Sequence, residues 1–274
     1  MQDIRDDKGG DKSGNTGRTK TGGPENEPAS IDSRYAVNGA VRIHFLDSHG
    51  GDGGTPVVFV PGFGEEAMEH LSFIEALRPR RCIVVDLRGR GRSDVPESGY
   101  GMEEHAADLD AVIRQTGLKR IHLVSYSRGT TYAMRWATTH PEFVASYSIG
   151  DYPAAQIIPP AWFPPKAEKS LWRGRPVAER MPVPAIRRLF ADAVALDMWE
   201  DLRRLRCPML VVRGGAPGAM LDDAAADRYR QVVAQPRIET FEQSAHDLWN
   251  PDPLRFARTV AQFLAGIETR ATAA

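Results

Sequence analysis

Short apolar runs alternate with amphipathic helical patterns along most of the chain, and this alternation limits the possible folds more than any other feature. The runs are bounded by glycine, proline or charged residues, and they read VVFV, CIVV, IHLVS, VASYSIG and PMLVV. Runs that stay largely apolar, rather than alternating strictly with polar residues, are typical of strands that are buried on both faces of a parallel sheet. The pattern therefore predicts an α/β fold in which helices cover both faces of a mostly parallel sheet.

Two segments interrupt this pattern. Residues 1–30 are rich in Gly, Lys, Asp and Asn and contain almost no apolar residues, which predicts a disordered tail because little surface is available to bury. Residues 154–201 lie between two predicted strands and are too long for a simple crossover. We expect this second segment to form a small, mostly helical lid between two parts of the core, residues 31–153 and 202–274.

Four aromatic residues of the expected lid leave two interpretations open. In the first, they line an apolar pocket, and in the second they pack the lid onto the body of the domain. The residues are Trp162, Phe163, Trp172 and Trp199.

Charge and composition exclude several classes of function. The formal net charge of −1 provides no long-range field that would attract nucleic acid or an anionic membrane surface. No run approaches the ~18 consecutive apolar residues that a membrane span requires, and the N-terminus lacks the apolar core of a secretory signal. We therefore expect a cytoplasmic protein. No C-x-x-C or H-E-x-x-H pattern supports a metal site, and we expect no cofactor.

Ser127 lies in a sharp turn between the strand IHLVS and the helix that begins at Gly129. A turn of this kind holds a serine in a strained conformation and projects its hydroxyl above the edge of the sheet. The usual pattern is G-x-S-x-G, and here Ser125 replaces the first glycine. Ser127 is thus either a nucleophile or an ordinary turn serine. The choice depends on whether the rest of the chain supplies catalytic partners for it.

A second glycine-containing loop, PGFGEE, follows the strand VVFV. In this position its backbone can supply one oxyanion donor, the N–H of Phe63, while the N–H of Arg128 supplies the other. Gly62 and Gly64 would let the loop approach closely. The alternative is that PGFGEE forms an ordinary turn with no role in binding an oxyanion.

Of the seven histidines, His246 is the best candidate for a general base, because it follows the strand RIETF and precedes the last helix. His44 and His122 fall within strands and are expected to be structural. His140 ends a helix, His49 lies in a polar loop, and His70 and His105 fall on helical patterns that we expect to be exposed.

Four segments in this order resemble the α/β-hydrolase superfamily: VVFVPGFGEE, DLRGRGRSD, SYSRG and SAHDLW. The resemblance extends from about Val41 to the C-terminus, and DLRGRGRSD is typical of the lid-bearing esterases, lactonases and related enzymes. It implies the α/β-hydrolase fold with a small helical lid. It also implies a catalytic triad in the chain order nucleophile, acid, histidine, with Ser127 first and His246 last.

The acid of this triad is open, because the sequence departs from the superfamily pattern. Members usually carry the acid a few residues after the strand that is PMLVV here, but APGAM contains no carboxylate. Asp222 and Asp223 come slightly later and look like N-caps of the next helix. We favour Asp151, directly after VASYSIG, which is otherwise a turn-capping carboxylate.

The leading hypothesis is a serine hydrolase that acts on a small carboxylic ester, thioester or lactone through an acyl-enzyme at Ser127, with His246 as the base. A dehalogenase or epoxide hydrolase would carry an aspartate nucleophile instead. The alternatives are a carbon–carbon hydrolase or lyase on the same scaffold, or a catalytically weak ligand-binding protein. We expect an apolar or aromatic small-molecule substrate. The Arg128 side chain either forms a surface salt bridge or meets an anionic substrate group, and the oligomeric state is open.

Overall fold

The computed structural model describes residues 30–50 and 54–272, so the tail predicted over residues 1–30 lies outside the described residues apart from Ser30. The described strands are β1 Asp32–Asn38, β2 Val41–Asp47, β3 Val57–Val60, β4 Cys82–Val85, β5 Ile121–Tyr126, β6 Val144–Gly150, β7 Ala155–Gln156, β8 Leu171–Trp172, β9 Arg175–Pro176, β10 Leu196–Asp197, β11 Met209–Gly214 and β12 Arg237–Phe241.

The helices of the same part of the chain lie between these strands. They are α1 Leu71–Ala76, α2 Met102–Thr116, α3 Gly129–Thr139, α4 Phe163–Ala167, α5 Val177–Arg180, α6 Val183–Ala191, α7 Trp199–Leu202, α8 Asp223–Val232 and α9 Arg255–Thr272. Among the residues described, no helix combines the length and the apolar character that crossing a membrane would require.

Eight strands form one sheet in the order β1-β2-β4-β3-β5-β6-β11-β12. Strand β2 pairs antiparallel with β1 and with β4. The neighbouring pairs β4-β3, β3-β5, β5-β6, β6-β11 and β11-β12 are parallel. The predicted fold class, a mostly parallel sheet of the α/β-hydrolase type, is confirmed. The carboxyl ends of β3, β5, β6 and β11 are neighbours at one edge, so the loops that follow them converge there.

The alternation of side chains along β3 explains why its run is apolar throughout. Val58 and Val60 belong to the hydrophobic cluster that includes residues of α2 and α3. Val57 and Phe59 point to the other face and belong to the cluster with residues of α1 and α9. All four side chains are fully buried. A strand that is covered by helices on both faces has no polar face to expose, so it shows no polar alternation.

The segment of residues 154–201, here called the inserted segment, mixes short strands with helices and is less helical than expected. It contains the two-residue strands β7 to β10 and the helices α4 to α6, and α7 begins at its end. Strand β7 pairs antiparallel with β10, and the Met198 N–H donates to the Ala154 carbonyl at 2.9 Å. The two ends of the inserted segment therefore lie side by side, as expected for an insertion between the neighbouring strands β6 and β11.

The expectation that His70 and His105 are exposed is wrong. Both side chains are fully buried. Burial lowers the pKa of His70 to about 3, and it lowers the pKa of His105 well below its ordinary value. The ring of His105 stacks on Tyr132 of α3 at a centroid distance of 4.0 Å. The helix α2 packs against α3 on the face that carries His105, so a tertiary contact buries a position that the local pattern marks as exposed.

Candidate active site

The turn between β5 and α3 holds Ser127 in the left-handed region of backbone conformation, with φ of +51°. A non-glycine residue in this region is strained, and such strain often accompanies function. The turn is tight because α3 begins two residues later against the end of β3. A Cβ on Gly129 would lie 2.2 Å from the Pro61 carbonyl oxygen and 2.6 Å from that of Val60. Only glycine allows this approach.

Ser125 occupies the position where the pattern usually has glycine, and its side chain is fully buried. Its hydroxyl lies 3.0 Å from Thr130 Oγ1 and 3.0 Å from the Tyr147 hydroxyl. A buried hydroxyl is costly only when it lacks partners. The hydrogen bonds to Thr130 and Tyr147 therefore explain why a serine is accommodated on the strand side of the turn.

The structure brings Ser127, His246 and Asp151 together. Ser127 Oγ lies 2.8 Å from His246 Nε2, and His246 Nδ1 lies 2.8 Å from Asp151 Oδ2. An ionised carboxylate only accepts hydrogen bonds, so Nδ1 carries the proton and Nε2 is free to accept from the serine hydroxyl. These residues follow β5, β6 and β12, which explains how groups far apart in the chain meet at one edge of the sheet.

His246 is held from two further directions. Its ring stacks on the Tyr126 ring at a centroid distance of 5.2 Å. The Tyr126 hydroxyl donates a hydrogen bond to the His246 carbonyl at 2.6 Å. Tyr126 is the last residue of β5 and directly precedes Ser127. It therefore links the turn that holds the serine to both the backbone and the ring of His246.

The Asp151 carboxylate is fully buried, and backbone N–H groups satisfy it. Oδ1 accepts from the N–H groups of Gly214 and Leu221 at 3.2 and 3.3 Å, and Oδ2 accepts from that of Met220 at 2.8 Å. Hydrogen bonds to the charged form stabilise a carboxylate without a cation. The loop after β11 lacks the expected acid, and together with Gly214 at the end of β11 it supplies instead the donors that hold Asp151.

The other two candidate acids interact elsewhere. Asp222 caps α8 and accepts from the Ala225 N–H at 2.8 Å. The Asp223 side chain is 92% exposed and pairs with Arg213 at 2.7 Å. Of the three aspartates considered, Asp151 is the one that contacts His246.

The loop after β3 lies against the serine turn. A Cβ on Gly62 would lie 2.9 Å from Ser127 Cβ, so this position also requires glycine. The Gly62 N–H donates to Glu65 Oε2 at 2.7 Å, which fixes the loop. Within the described ranges, the backbone N–H groups of Phe63 and Arg128 donate to no protein acceptor. Both residues line the cavity above Ser127.

Three arginines of the inserted segment pair with three glutamates of the loop after β3 and the turn that follows it, and we call this set the arginine–glutamate clamp. Its pairs are Arg173–Glu65 at 3.0 Å, Arg175–Glu66 at 2.8 Å and Arg180–Glu69 at 2.7 Å.

Arg173 has the most central position in the clamp. It lies in the two-residue turn between β8 and β9 with φ of +47°. Its guanidinium also pairs with Asp247 at 2.8 Å and stacks on the Trp249 ring at 4.2 Å. Arg173 thus joins the loop that carries Phe63 to the loop that carries His246. No local pattern in the sequence marks Glu65, Arg173 or Asp247, because they pair between segments that are distant in the chain.

A cavity of about 440 Å³ opens above Ser127 and His246. Aromatic and aliphatic side chains dominate its wall, which includes Phe63, Tyr152, Phe163, Trp172, Val177, Phe190 and Met220. The volume suits a small molecule. Within the described part of the chain, no group of three His, Cys, Asp or Glu side chains is arranged to hold a metal ion.

The four aromatic residues of the inserted segment are expected from the sequence either to line a pocket or to pack the segment onto the body, and both roles occur. Trp162, Phe163 and Trp172 line the cavity. Trp199 is buried against the Tyr229 ring of α8, at a centroid distance of 4.7 Å, and packs the inserted segment onto the body.

Comparisons with known proteins identify related chains. The family model described as the α/β hydrolase fold matches residues 55–164. A dihydrolipoyllysine-residue acetyltransferase component of the acetoin cleaving system from Cupriavidus necator is 26% identical over 185 residues. This match covers 66% of the present chain and 47% of that protein, so the chain spans less than half of the relative's length.

Solved structures share the fold at low identity. A loop variant of a haloalkane dehalogenase from Bradyrhizobium elkanii has a TM-score of 0.73 at 17% identity, covering 89% of this chain and 99% of that one. An esterase from Exiguobacterium antarcticum has a TM-score of 0.72 at 20% identity, covering 85% and 98%. At these identities the similarity concerns the fold alone.

The arginine–glutamate clamp generates a stability prediction. Arg173→Met leaves Glu65 buried without its cation, so we expect the free energy of unfolding to fall by roughly 3 kcal/mol. The matched control is Arg175→Met, whose side chain is 46% exposed and whose ion pairs contribute little. Urea denaturation of both variants measures the difference. Equal losses in the two variants would contradict the central position of Arg173.

Proposed function

This chain belongs to the α/β-hydrolase superfamily, and we propose that it is a serine hydrolase that cleaves a small carboxylic ester, thioester or lactone. The observation that carries the proposal is the hydrogen-bonded series from Ser127 Oγ through the His246 ring to the Asp151 carboxylate. A series with this order of donors and acceptors is the arrangement that activates a serine for nucleophilic attack.

In the first half of the proposed reaction, Ser127 Oγ attacks the substrate carbonyl carbon, and its proton passes to His246 Nε2. The carbonyl oxygen becomes an oxyanion that accepts hydrogen bonds from the N–H groups of Phe63 and Arg128. Asp151 stabilises the imidazolium that forms and keeps its proton on Nδ1. The intermediate then collapses, and His246 donates the proton to the leaving alcohol or thiol.

In the second half, His246 takes a proton from a water molecule, whose oxygen attacks the acyl carbon on Ser127. The same two N–H groups hold the second oxyanion. Collapse of this intermediate breaks the bond to Oγ, returns the proton to Ser127 and releases the carboxylic acid. The inserted segment, which we take to be a lid, forms the apolar wall that limits access of water and favours an apolar or aromatic group on the substrate.

The identity of the nucleophile supports this choice within the superfamily. The structural neighbours include an esterase and a haloalkane dehalogenase. A dehalogenase or epoxide hydrolase would be expected to carry an aspartate where this chain has Ser127. The serine therefore favours acyl transfer of the esterase kind.

The two sequence departures that motivated the hypothesis of a catalytically weak binding protein each have a structural explanation. It depended on the replaced glycine at position 125 and on the acid missing after β11. The Ser125 hydroxyl has two hydrogen-bond partners. The loop after β11 donates to Asp151 instead of supplying the acid. With both departures present, Ser127 Oγ still lies within hydrogen-bond distance of His246 Nε2.

Labelling with a fluorophosphonate probe tests the nucleophile. We expect the wild-type protein to gain one phosphonyl group and Ser127→Ala to gain none, because the probe reacts only with an activated hydroxyl. Intact-protein mass spectrometry measures the product, and p-nitrophenyl esters of increasing acyl length measure turnover. Equal labelling of both proteins would refute the assignment. Labelling without turnover of any ester would instead favour a carbon–carbon hydrolase or lyase.

A pair of aspartate variants tests the acid. Asp151→Asn offers an amide that no longer holds the required His246 tautomer, so we expect kcat to fall by about 10⁴-fold, as in a serine protease triad. Asp222→Asn keeps a good helix cap and should retain the wild-type kcat. Steady-state kinetics on the best ester measure both. An unchanged kcat in Asp151→Asn would exclude this residue as the acid.

A further inference from the structure

Arg128 is a buried cation beside the nucleophile. Its residue is 5% exposed, and it belongs to the wall of the cavity above Ser127. The surface salt bridge that the sequence left open is therefore excluded. The turn that projects Ser127 also places the arginine that follows it against the same cavity.

The guanidinium has only neutral partners within the described residues. Nε donates to the Tyr132 hydroxyl at 3.1 Å, and Nη1 donates to the Ile157 carbonyl at 3.1 Å. The Phe190 ring lies 5.3 Å from Cζ. The third nitrogen, Nη2, is buried, and none of the described residues accepts a hydrogen bond from it.

Of the other buried arginines, two pair with carboxylates, whereas Arg90 has no carboxylate partner among the described residues but does not line the cavity. Arg88 pairs with Asp108 at 2.6 Å, and Arg180 pairs with Glu69 at 2.7 Å. No carboxylate of the described residues pairs with Arg128. A buried charge without a counter-ion is costly, and a guanidinium does not lose its proton to relieve that cost. An anion that enters the cavity would remove the cost.

Apart from the His246 ring, which takes the serine proton in the proposed reaction, the remainder of the cavity wall has no basic or acidic side chain. Its other side chains are aromatic, aliphatic or hydroxylic. A carboxylate is planar and matches the guanidinium in geometry as well as in charge. An anionic group placed in this wall would therefore be directed to Arg128.

We infer that Arg128 binds a carboxylate of the substrate, so that the preferred substrate is an ester, thioester or lactone that also carries a carboxylate group. The inference rests on the proposed function, whose reacting carbonyl lies at Ser127. The aromatic wall of the cavity then contacts the apolar part of the substrate, which lies between or beside the reacting carbonyl and the carboxylate. Arg128 is a substrate-binding residue through its side chain and an oxyanion donor through its backbone.

Binding to the Ser127→Ala protein tests the inference without turnover. The probes are the monomethyl and dimethyl esters of succinate, glutarate and adipate, which differ within each pair in one charge and one methyl group. Isothermal titration calorimetry should show that one monomethyl ester binds about 10- to 100-fold more tightly than its dimethyl partner, as expected for charge-assisted hydrogen bonds. This preference should weaken as salt is added.

The matched variant is Ser127→Ala with Arg128→Met, in which the preference for the charged ester should disappear. Arg128→Gln, which keeps an amide donor without the charge, replaces it if the methionine variant does not fold. Equal affinity for both esters at all three chain lengths would overturn the inference. Persistence of the preference without the arginine would also overturn it.

Kinetics on the protein with Ser127 intact separate the two proposals. Fluorophosphonate labelling and ester turnover without any preference for the monomethyl esters would remove the inference and leave the serine hydrolase. Binding that depends on Arg128 without labelling would remove the serine hydrolase and leave a carboxylate-binding cavity.

Discussion

The hydrogen bond between the buried Asp151 carboxylate and His246 Nδ1 is the interaction on which the geometry of the site depends. A carboxylate can be buried here because three backbone N–H groups donate to it, one from Gly214 at the end of β11 and two from the loop that follows. These bonds fix the direction of the carboxylate, and the carboxylate fixes the tautomer of the ring. His246 Nε2 then faces the serine hydroxyl as an acceptor. The backbone of one loop thereby determines the proton positions of the site.

The inserted segment affects the site through charge as well as through shape. Arg173 joins Glu65 to Asp247, and these residues lie in the loops that carry the Phe63 N–H and His246. The loop after β3 and the loop that carries His246 are therefore tied to each other through a residue that belongs to neither. If the segment moved away, the wall of the cavity would open and both loops would lose a shared partner. Access to the cavity and order in the two loops are physically linked in this arrangement.

Sequence patterns predicted the fold, and they nominated residues that the structure brings together at one edge of the sheet, for different reasons. Each central strand is buried on both faces, so its composition alone identifies it, as in VVFV and CIVV. Phe63 lies between two glycines and Ser127 lies two residues before Gly129, and glycines that a close approach requires are visible in a sequence. Asp151 could only be favoured over Asp222 and Asp223, because the N–H donors that hold it come from a distant loop. The burial of His70 and His105, and the pairing of Arg173, depend on tertiary contacts that no local pattern records.

A crystal structure of the protein after reaction with methyl fluorophosphonate tests the central claim most directly, since the adduct imitates the tetrahedral intermediate. The account predicts phosphorus bonded to Ser127 Oγ. We also expect the phosphoryl oxygen to lie within hydrogen-bond distance of the N–H groups of both Phe63 and Arg128. His246 Nδ1 should still donate its hydrogen bond to Asp151. A phosphoryl oxygen that points away from both N–H groups, or phosphorus bonded to another residue, would contradict it.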